Sequence, residues 1–196
     1  VGVISQSGGL GTDIVKRGHG RGLRFSGVLT VGNSADLGPN DFLEFYLADA
    51  QTKVIGMYLE DVKDGRRFAK ILRDAKARKP VVILKGGRTQ QGQRAAASHT
   101  GSLAGDDRVW DALAAQTGCV LTDTLDQFLE ALLAFQCMAP RADRPTRRVV
   151  LFGNGGGTSV LATDFFARQN LSIDPLAAEA LEALEALALP PGTSVV

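Results

Sequence analysis

The segment VGVISQSGGLGTDIV, residues 1–15, passes from a short apolar run through serine and glycine into a stretch with helical spacing. A short apolar run is typical of a strand that is covered on both faces, as the strands of parallel sheets are. The glycines allow a tight turn and a close approach of the backbone to a ligand. The segment therefore predicts a strand, a glycine turn and a helix, which is the repeating unit of an α/β fold.

The same alternation of strands and helices continues as far as residue 138. Strands are predicted over residues 25–32, 53–60, 80–87 and 119–123, and helices over residues 41–49, 65–79, 106–118 and 124–138. Short strands that are each followed by a helix predict a parallel sheet with right-handed crossovers. The expected fold class is therefore α/β, with a flavodoxin-like doubly wound parallel sheet and helices on both of its faces.

Two details of this pattern concern particular side chains and loops. In the helix predicted over residues 41–49, the spacing places Phe42, Phe45 and Tyr46 on one apolar face. Residues 88–105 are polar and contain glycine, which weakens a helix. We therefore expect this segment to be a pliable loop.

A second, shorter α/β unit is predicted after a linker. Residues 139–147, APRADRPTR, are polar and contain two prolines, which is typical of a linker. Residues 148–196 then begin again with an apolar run, a glycine turn and a helical pattern, but are too short to complete a sheet. We expect a flavodoxin-like domain over residues 1–138 and the start of a second domain over 148–196. Both ends look cut, so we expect either a piece of a longer polypeptide or a subunit whose flanks are missing.

The bulk composition excludes several classes of protein. The 22 basic and 21 acidic residues nearly cancel, and no basic run points to nucleic acid. No apolar run approaches the ~20 residues that a membrane-spanning helix needs. Cys119 and Cys137 are too far apart for a redox motif and are expected to be free thiols in a reducing compartment. The expected protein is cytoplasmic and binds neither nucleic acid nor a membrane.

The two glycine turns are the first candidates for chemistry. Each opens a helix, whose first N–H groups lack acceptors within the helix and whose dipole places partial positive charge there. Such a helix end binds anions, although a tight turn capped by serine is the alternative for either turn alone. Neither turn is a P-loop, and no acid ends the second strand as in dinucleotide-binding oxidoreductases. The residues expected to bind phosphate are Ser5, Ser7, Gly8 and Gly9 in the first turn, and Gly156, Gly157, Thr158 and Ser159 in the second.

His99 is the candidate nucleophile. It lies in AAASHTGSLAG, residues 95–105, among small side chains that leave room for a phosphate. A neutral imidazole is available near pH 7 and can carry a phosphoryl group through a P–N bond. The alternative is a histidine on a surface loop, which is the assignment we make for His19.

Glu60 is the candidate partner of His99. It ends the third predicted strand, and in a doubly wound sheet the carboxyl ends of the strands line the ligand crevice. A carboxylate there would bind the second nitrogen of the imidazole and raise its basicity. A solvated acid at the start of a loop is the alternative, and Asp61 is not excluded. Three cations are expected either to meet an anionic substrate or to be solvated loop charges: Lys85, Arg88 and Arg94.

Several of these stretches together resemble a known family. VGVISQSGGLG, YLED and LKGGRTQQGQRAAASHTGSLAGDDRVWDA resemble the NDP-forming acyl-CoA synthetases, relatives of succinyl-CoA synthetase, over most of residues 1–138. SHTGSLAG is the specific signature among them. RVVLFGNGGGTSVLATDFFARQ and LPPGTSVV resemble the opening and the middle of the family's next, CoA-ligase-type domain.

The resemblance implies a role for each candidate residue. His99 falls where the family carries a phosphorylated histidine, and Glu60 matches the carboxylate that partners it. The helices that start after residues 7–9 and at residues 156–158 match two helices of the family whose amino ends hold the phosphate from opposite sides. The implied reaction is acyl-CoA + phosphate + ADP ⇌ carboxylic acid + CoA + ATP, through an acyl phosphate and phosphorylated His99.

The resemblance also implies cofactors and partners. CoA, ATP or ADP and Mg²⁺ would be bound mainly by CoA-binding and ATP-grasp domains that this sequence lacks, and that are expected in cis or on a partner subunit. Phosphate, the acyl phosphate and the carboxylic acid are the small-molecule ligands expected here, and no metal site is predicted in this chain. An acyltransferase or acyl-CoA-sensing regulator on the same scaffold, and a module for FMN or a nucleotide, remain alternatives. His99 and Glu60 favour the synthetase, because a sensor needs no nucleophile.

Overall fold

The chain folds as two compact units, residues 1–140 and residues 141–196. The computed structural model describes residues 1–76, 78–100, 107–138, 146–187 and 193–195. Most of the predicted linker, residues 139–145, lies outside the described residues. Each unit has its own sheet.

The first unit contains a five-stranded parallel sheet. Its strands are β1 (Gly2–Ser5), β2 (Gly27–Thr30), β3 (Ile55–Leu59), β4 (Val81–Lys85) and β5 (Val120–Thr122). They lie in the order β2-β1-β3-β4-β5, and each neighbouring pair is parallel. This is the strand order of the flavodoxin-like doubly wound fold, so the predicted fold class is confirmed.

Helices connect the strands. They are α1 (Gly8–Gly20), α2 (Pro39–Ala48), α3 (Gly65–Ala75), α4 (Gln90–Thr100), α5 (Asp107–Thr117) and α6 (Leu125–Cys137). Side chains fix several helix starts: the Ser7 side chain caps α1, and Thr124 forms a capping box with Gln127 at the start of α6. Such caps satisfy N–H groups that a helix leaves without acceptors. The turn after β1 therefore feeds directly into a helix at the carboxyl edge of the sheet.

Apolar side chains cover both faces of the sheet. Leu43 of α2, Phe68 of α3 and Trp110 of α5 belong to one buried cluster. Ile14 of α1 and Phe128 of α6 belong to the other. The sheet is thus enclosed between two helical layers, which leaves the ends of its strands as the places where a ligand can reach it.

The centre of the sheet has no room for a further carbon atom at Gly56. A Cβ there would lie 2.8 Å from Phe128 Cζ and 3.1 Å from both δ-carbons of Leu132. We expect Gly56→Ala to lower the free energy of unfolding by about 1–3 kcal/mol, because overfilling a packed core forces neighbours out of place. Urea unfolding measures the loss. Gly65→Ala is the control, since nothing lies within 4 Å of a Cβ at that position. Equal stability of the two variants would contradict this packing.

The single apolar face predicted for α2 is wrong at Phe45. Tyr46 is buried, whereas Phe45 is 57% exposed, with its ring centroid 5.3 Å from that of Tyr46. Consecutive residues of a helix point about 100° apart, and here Tyr46 faces the core while Phe45 points away from it. Phe42 is partly buried against the core, as predicted.

The loop predicted over residues 88–105 is wrong for residues 90–100, which form α4. The Thr89 hydroxyl accepts a hydrogen bond from the Gly92 N–H at 3.0 Å and so caps the first turn. The alanines at residues 95–97 favour a helix strongly enough to outweigh the single glycine in this segment. Residues 101–106 lie outside the described part of the chain.

The second unit begins with a strand, a glycine turn and a helix. Its elements are β6 (Phe152–Asn154), α7 (Gly156–Arg168), α8 (Ala178–Glu185) and β7 (Thr193–Val195). β6 and β7 pair in antiparallel fashion. Gly155, between β6 and α7, has a φ of 137°, a conformation that side-chain-bearing residues rarely adopt. The sharp entry into α7 therefore depends on glycine at this position.

Candidate functional site

The carboxyl ends of β1 and β3 form the switch point of the doubly wound sheet. β2 lies on the far side of β1, and β4 lies on the far side of β3. The register sets Ser5 opposite Tyr58, and the Gln6 N–H donates to the Tyr58 carbonyl oxygen at 3.1 Å. The first glycine turn, residues 5–9, therefore lies beside the segment that contains Glu60. Ligands of doubly wound proteins bind in the crevice at this point.

The amino end of α1 offers donors to an anion. The Ser7 Oγ accepts from the Leu10 N–H at 3.2 Å, which leaves its hydroxyl proton available to a ligand. The N–H groups of Gly8 and Gly9 belong to the first turn and have no acceptor within the helix. Both glycines are exposed, and nothing lies within 4 Å of a Cβ built on either. An open helix end with these donors suits a phosphate group.

Ser5 has a different place from the other predicted phosphate ligands. Its side chain is 0% exposed. The Ser5 hydroxyl donates to the Ser7 carbonyl oxygen at 2.7 Å and accepts from the Ser7 N–H at 3.2 Å. Because its only proton is already donated, Ser5 supports the turn from within and does not face a ligand.

Glu60 lies directly after β3 and is 6% exposed. Its Oε1 accepts a hydrogen bond from the Tyr58 hydroxyl at 2.9 Å. Burial raises the pKa of Tyr58, and the bond to Glu60 and its negative charge raise that pKa further, so the phenol stays protonated and continues to donate. Glu60 is therefore a buried, hydrogen-bonded side chain at the switch point. The alternative, a solvated acid at the start of a loop, does not describe it.

Lys85 is neither an open anion site nor a solvated charge. It ends β4, is 6% exposed, and donates from Nζ to the backbone carbonyl oxygen of Glu60 at 2.9 Å and to that of Gly86. Its Nζ lies 5.5 Å from the centroid of the Trp110 ring. Burial lowers the pKa of Lys85, while the nearby carboxylates oppose this shift. Lys85 therefore ties the ends of β3 and β4 together.

Arg88 also has a structural role. Its guanidinium forms a two-pronged pair with Asp107, at 2.6 and 3.0 Å, and single bonds to Asp111 at 2.8 Å and Asp123 at 3.0 Å. Three carboxylates already surround the cation, so it joins α5 and the end of β5 to the segment after β4. Of the three cations considered, Arg94 remains exposed, on α4.

Gln6 is a site residue that reasoning from the sequence missed. Its Oε1 accepts from the N–H groups of Glu60 and Asp61, the latter at 3.0 Å, and its Nε2 donates to the Asp61 carbonyl oxygen at 2.9 Å. The available signal was its position between the serines of the first glycine turn. The partners lie 54 and 55 residues away, so no local pattern shows them.

His99 lies in the last turn of α4, one residue before the helix ends at Thr100. The helix fixes the backbone position of His99. The next residues, 101–106, lie outside the described residues. The structure therefore brings Glu60 together with the first glycine turn and assigns His99 to a helix. That the His99 side chain meets Glu60 and the first glycine turn stays a prediction.

The second glycine turn lies in the second unit. Gly156, Gly157, Thr158 and Ser159 form the first turn of α7, and the first three are exposed. No side chain caps this helix, whose cap position is Gly155. The Ser159 N–H donates to the Gly155 carbonyl oxygen at 3.2 Å. The amino end of α7 is thus exposed and built from glycine, as that of α1 is, but it lacks the serine cap of α1.

Two further observations concern the described part of the chain. None of its helices has the length and apolar character needed to cross a membrane. Within the same residues, no three or more His, Cys, Asp or Glu side chains are arranged to hold a metal ion.

Two relatives match this chain over most or all of its length. The alpha subunit of ADP-forming acetate–CoA ligase II from Pyrococcus furiosus is 40% identical over 196 residues, which are 100% of this chain and 42% of that subunit. ADP-forming 4-hydroxybutyrate–CoA ligase from Nitrosopumilus maritimus is 35% identical over 177 residues, which are 88% of this chain and 25% of that enzyme. This chain therefore spans less than half the length of either relative.

A solved structure has the same fold. It is the dinucleotide-forming acetyl-coenzyme A synthetase 1 of Ca. Korarchaeum cryptofilum, in complex with phosphate and ADP, and it superposes with a TM-score of 0.83 at 33% identity. The similarity covers 97% of this chain and 40% of that one. A family described as the succinyl-CoA ligase-like flavodoxin domain matches residues 1–135. That match includes the entire doubly wound sheet, and the chain therefore belongs to the family of succinyl-CoA ligase-like flavodoxin domains.

Proposed function

We propose that this chain is the phosphohistidine-carrying part of an NDP-forming acyl-CoA synthetase. The complete enzyme interconverts acyl-CoA, phosphate and ADP with a carboxylic acid, CoA and ATP. An acyl phosphate forms first, its phosphoryl group moves to His99, and His99 then delivers it to the nucleotide. The names of the relatives, ADP-forming ligases of acetate and 4-hydroxybutyrate with CoA, support this reaction class.

The observation that carries the proposal is the arrangement at the switch point. An open helix end with the donors of Ser7, Gly8 and Gly9 lies beside the segment that contains Glu60, whose carboxyl group is buried. The helix end would hold a phosphate group. The phosphate carries about two negative charges at neutral pH, and N–H donors and the helix dipole stabilise them. Glu60 would orient the imidazole that receives the phosphoryl group.

The transfer to His99 balances without a further reactant. One imidazole nitrogen attacks phosphorus, a P–N bond forms, and the P–O bond to the acyl group breaks as the acid leaves as its carboxylate. Positive charge develops on the imidazole, and the Glu60 carboxylate would accept a hydrogen bond from its second nitrogen. This stabilises the charged ring and fixes which nitrogen is free to attack.

The second glycine turn is a further proposed phosphate-binding element. Gly156, Gly157, Thr158 and Ser159 begin α7, whose exposed amino end has N–H groups without acceptors within the helix. We propose that this helix end, like that of α1, binds a phosphate group during the reaction.

The remaining ligands would be bound outside this chain. We propose that CoA, the nucleotide and Mg²⁺ are held mainly by CoA-binding and ATP-grasp domains, in cis or on a partner subunit. The synthetase similar in structure was solved with phosphate and ADP. The free thiols of Cys119 and Cys137 suit the reducing cytoplasm, where we place the enzyme.

Labelling of the full-length protein, with any partner subunit, tests the proposal. ATP labelled in its γ-phosphate and Mg²⁺ should leave one acid-labile, base-stable label, because a P–N bond has that stability. Trypsin cuts after Arg94 and Arg108, so the label is expected in AAASHTGSLAGDDR, residues 95–108. An acid-stable label on serine, or no label in protein that binds the nucleotide, would overturn the proposal.

A further inference from the structure

One side chain links the first glycine turn to the Glu60 segment. Gln6 lies immediately before Ser7, the residue that caps α1. Its amide makes hydrogen bonds to the backbone of Glu60 and Asp61 through both of its polar atoms: Oε1 accepts from the two N–H groups, and Nε2 donates to the Asp61 carbonyl oxygen. The amide thus spans the gap between the ends of β1 and β3.

Glu60 is held from three directions, and Gln6 supplies one of them. Lys85 Nζ binds its carbonyl oxygen and the Tyr58 hydroxyl binds its carboxyl group. Gln6 binds its N–H and both backbone groups of the next residue, Asp61. With its N–H and carbonyl groups both bonded, the backbone of Glu60 is held at the base of the side chain, and the Tyr58 hydroxyl holds the carboxyl group at its end.

We propose that Gln6 is a positioning residue, which sets the Glu60 carboxyl group relative to the phosphate-binding end of α1. The inference rests on the proposed function, since it assigns Gln6 an effect on phosphoryl transfer at His99 that acts through Glu60. Gln6 is partly exposed and is absent from both apolar clusters of the core. Its side-chain amide forms three hydrogen bonds to the backbone of the Glu60 segment, so its expected contribution is to orient that segment.

Gln6→Met tests this proposal in the full-length enzyme. Methionine has a similar length and volume but forms none of the three hydrogen bonds. We expect the rate of His99 phosphorylation to fall about 10- to 100-fold, because a displacement of about 1 Å at a reacting group has effects of this size. The KM for ATP should change little, since Gln6 does not hold the nucleotide. Gln6→Asn, whose amide is one methylene too short, should behave in the same way if the first variant does not fold.

A double-mutant comparison separates positioning from a general structural role. If Gln6 acts through Glu60, then Gln6→Met in a Glu60→Gln background should cause less than a 2-fold further loss. A loss that multiplies with that of Glu60→Gln would overturn the positioning role. Gln136→Met is the matched control, because Gln136 makes the same kind of amide link, to the Arg24 N–H at 2.7 Å and the Gly22 carbonyl oxygen at 3.0 Å, before β2. It should leave phosphorylation unchanged.

Amide hydrogen exchange distinguishes the failure of this inference from the failure of the proposed function. In Gln6→Met the N–H groups of Glu60 and Asp61 should exchange at least about 10-fold faster, because both lose their acceptor. Unchanged exchange would show that Gln6 does not hold the segment and would overturn the inference while wild-type labelling at His99 stands. Absence of label in the wild type would overturn the proposed function, and the positioning role with it.

Discussion

Replacing His99 by alanine is expected to abolish phosphorylation of the protein and to lower net ATP formation by roughly 1,000-fold or more. The imidazole would be the only group that takes the phosphoryl group from the acyl phosphate. The neighbours in SHTG are hydroxyls and glycine, and a hydroxyl is a poor nucleophile without a base beside it. Steady-state ATP formation from acyl-CoA, phosphate and ADP measures the loss, and labelling from ATP measures the modification itself.

His19→Ala is the matched control for His99→Ala. His19 is the other histidine of the chain and lies exposed near the end of α1. It should keep full labelling and full ATP formation. The first half of the reaction needs no histidine, so His99→Ala should still exchange labelled CoA into acyl-CoA when phosphate is present. ATP formation that survives His99→Ala would mean that the acyl phosphate passes its phosphoryl group directly to ADP.

Glu60→Gln is expected to slow both phosphorylation and dephosphorylation of His99 by roughly 100-fold, at the lower end of what acid–base catalysis contributes. The change keeps the size of the side chain and an oxygen that can accept from the Tyr58 hydroxyl, so the fold should remain intact. It removes the negative charge that would stabilise the developing imidazolium. Single-turnover labelling with ATP, followed by chase with ADP, measures both rates.

Glu44→Gln and the ionisation of Tyr58 provide controls for this result. Glu44 is half exposed, pairs with Arg67, and has no proposed role in binding the phosphate or the imidazole, so its variant should label at the wild-type rate. In Glu60→Gln the pKa of Tyr58 should fall toward its ordinary value but stay raised, because burial is the larger cause of the shift and the charge of Glu60 the smaller. A labelling rate unchanged in Glu60→Gln, with the Tyr58 titration moved as expected, would exclude a catalytic role for Glu60.

Much of the fold was predictable because its signals are local. Each apolar run of residues 1–138 predicts a strand, and each amphipathic stretch after it predicts a helix. The doubly wound sheet then follows from this hydrophobic periodicity and from the handedness of crossovers. The predictions that were wrong, at Phe45 and at residues 90–100, depended on small differences between competing local preferences. At Phe45 two adjacent rings compete for one buried face, and in α4 three alanines and the Thr89 cap outweigh one glycine.

Some features of the candidate site were likewise predictable from the sequence, and others were not. The sequence by itself determined that glycine turns open α1 and α7, and that a carboxylate directly follows the third strand, because these features depend on residues next to one another. Only the tertiary structure decided that Ser5 points inward, that Arg88 is enclosed by three aspartates, and that Gln6 binds the Glu60 segment. Most of these contacts join residues far apart in the chain, and they depend on the register of parallel strands and on rotamers that packing selects.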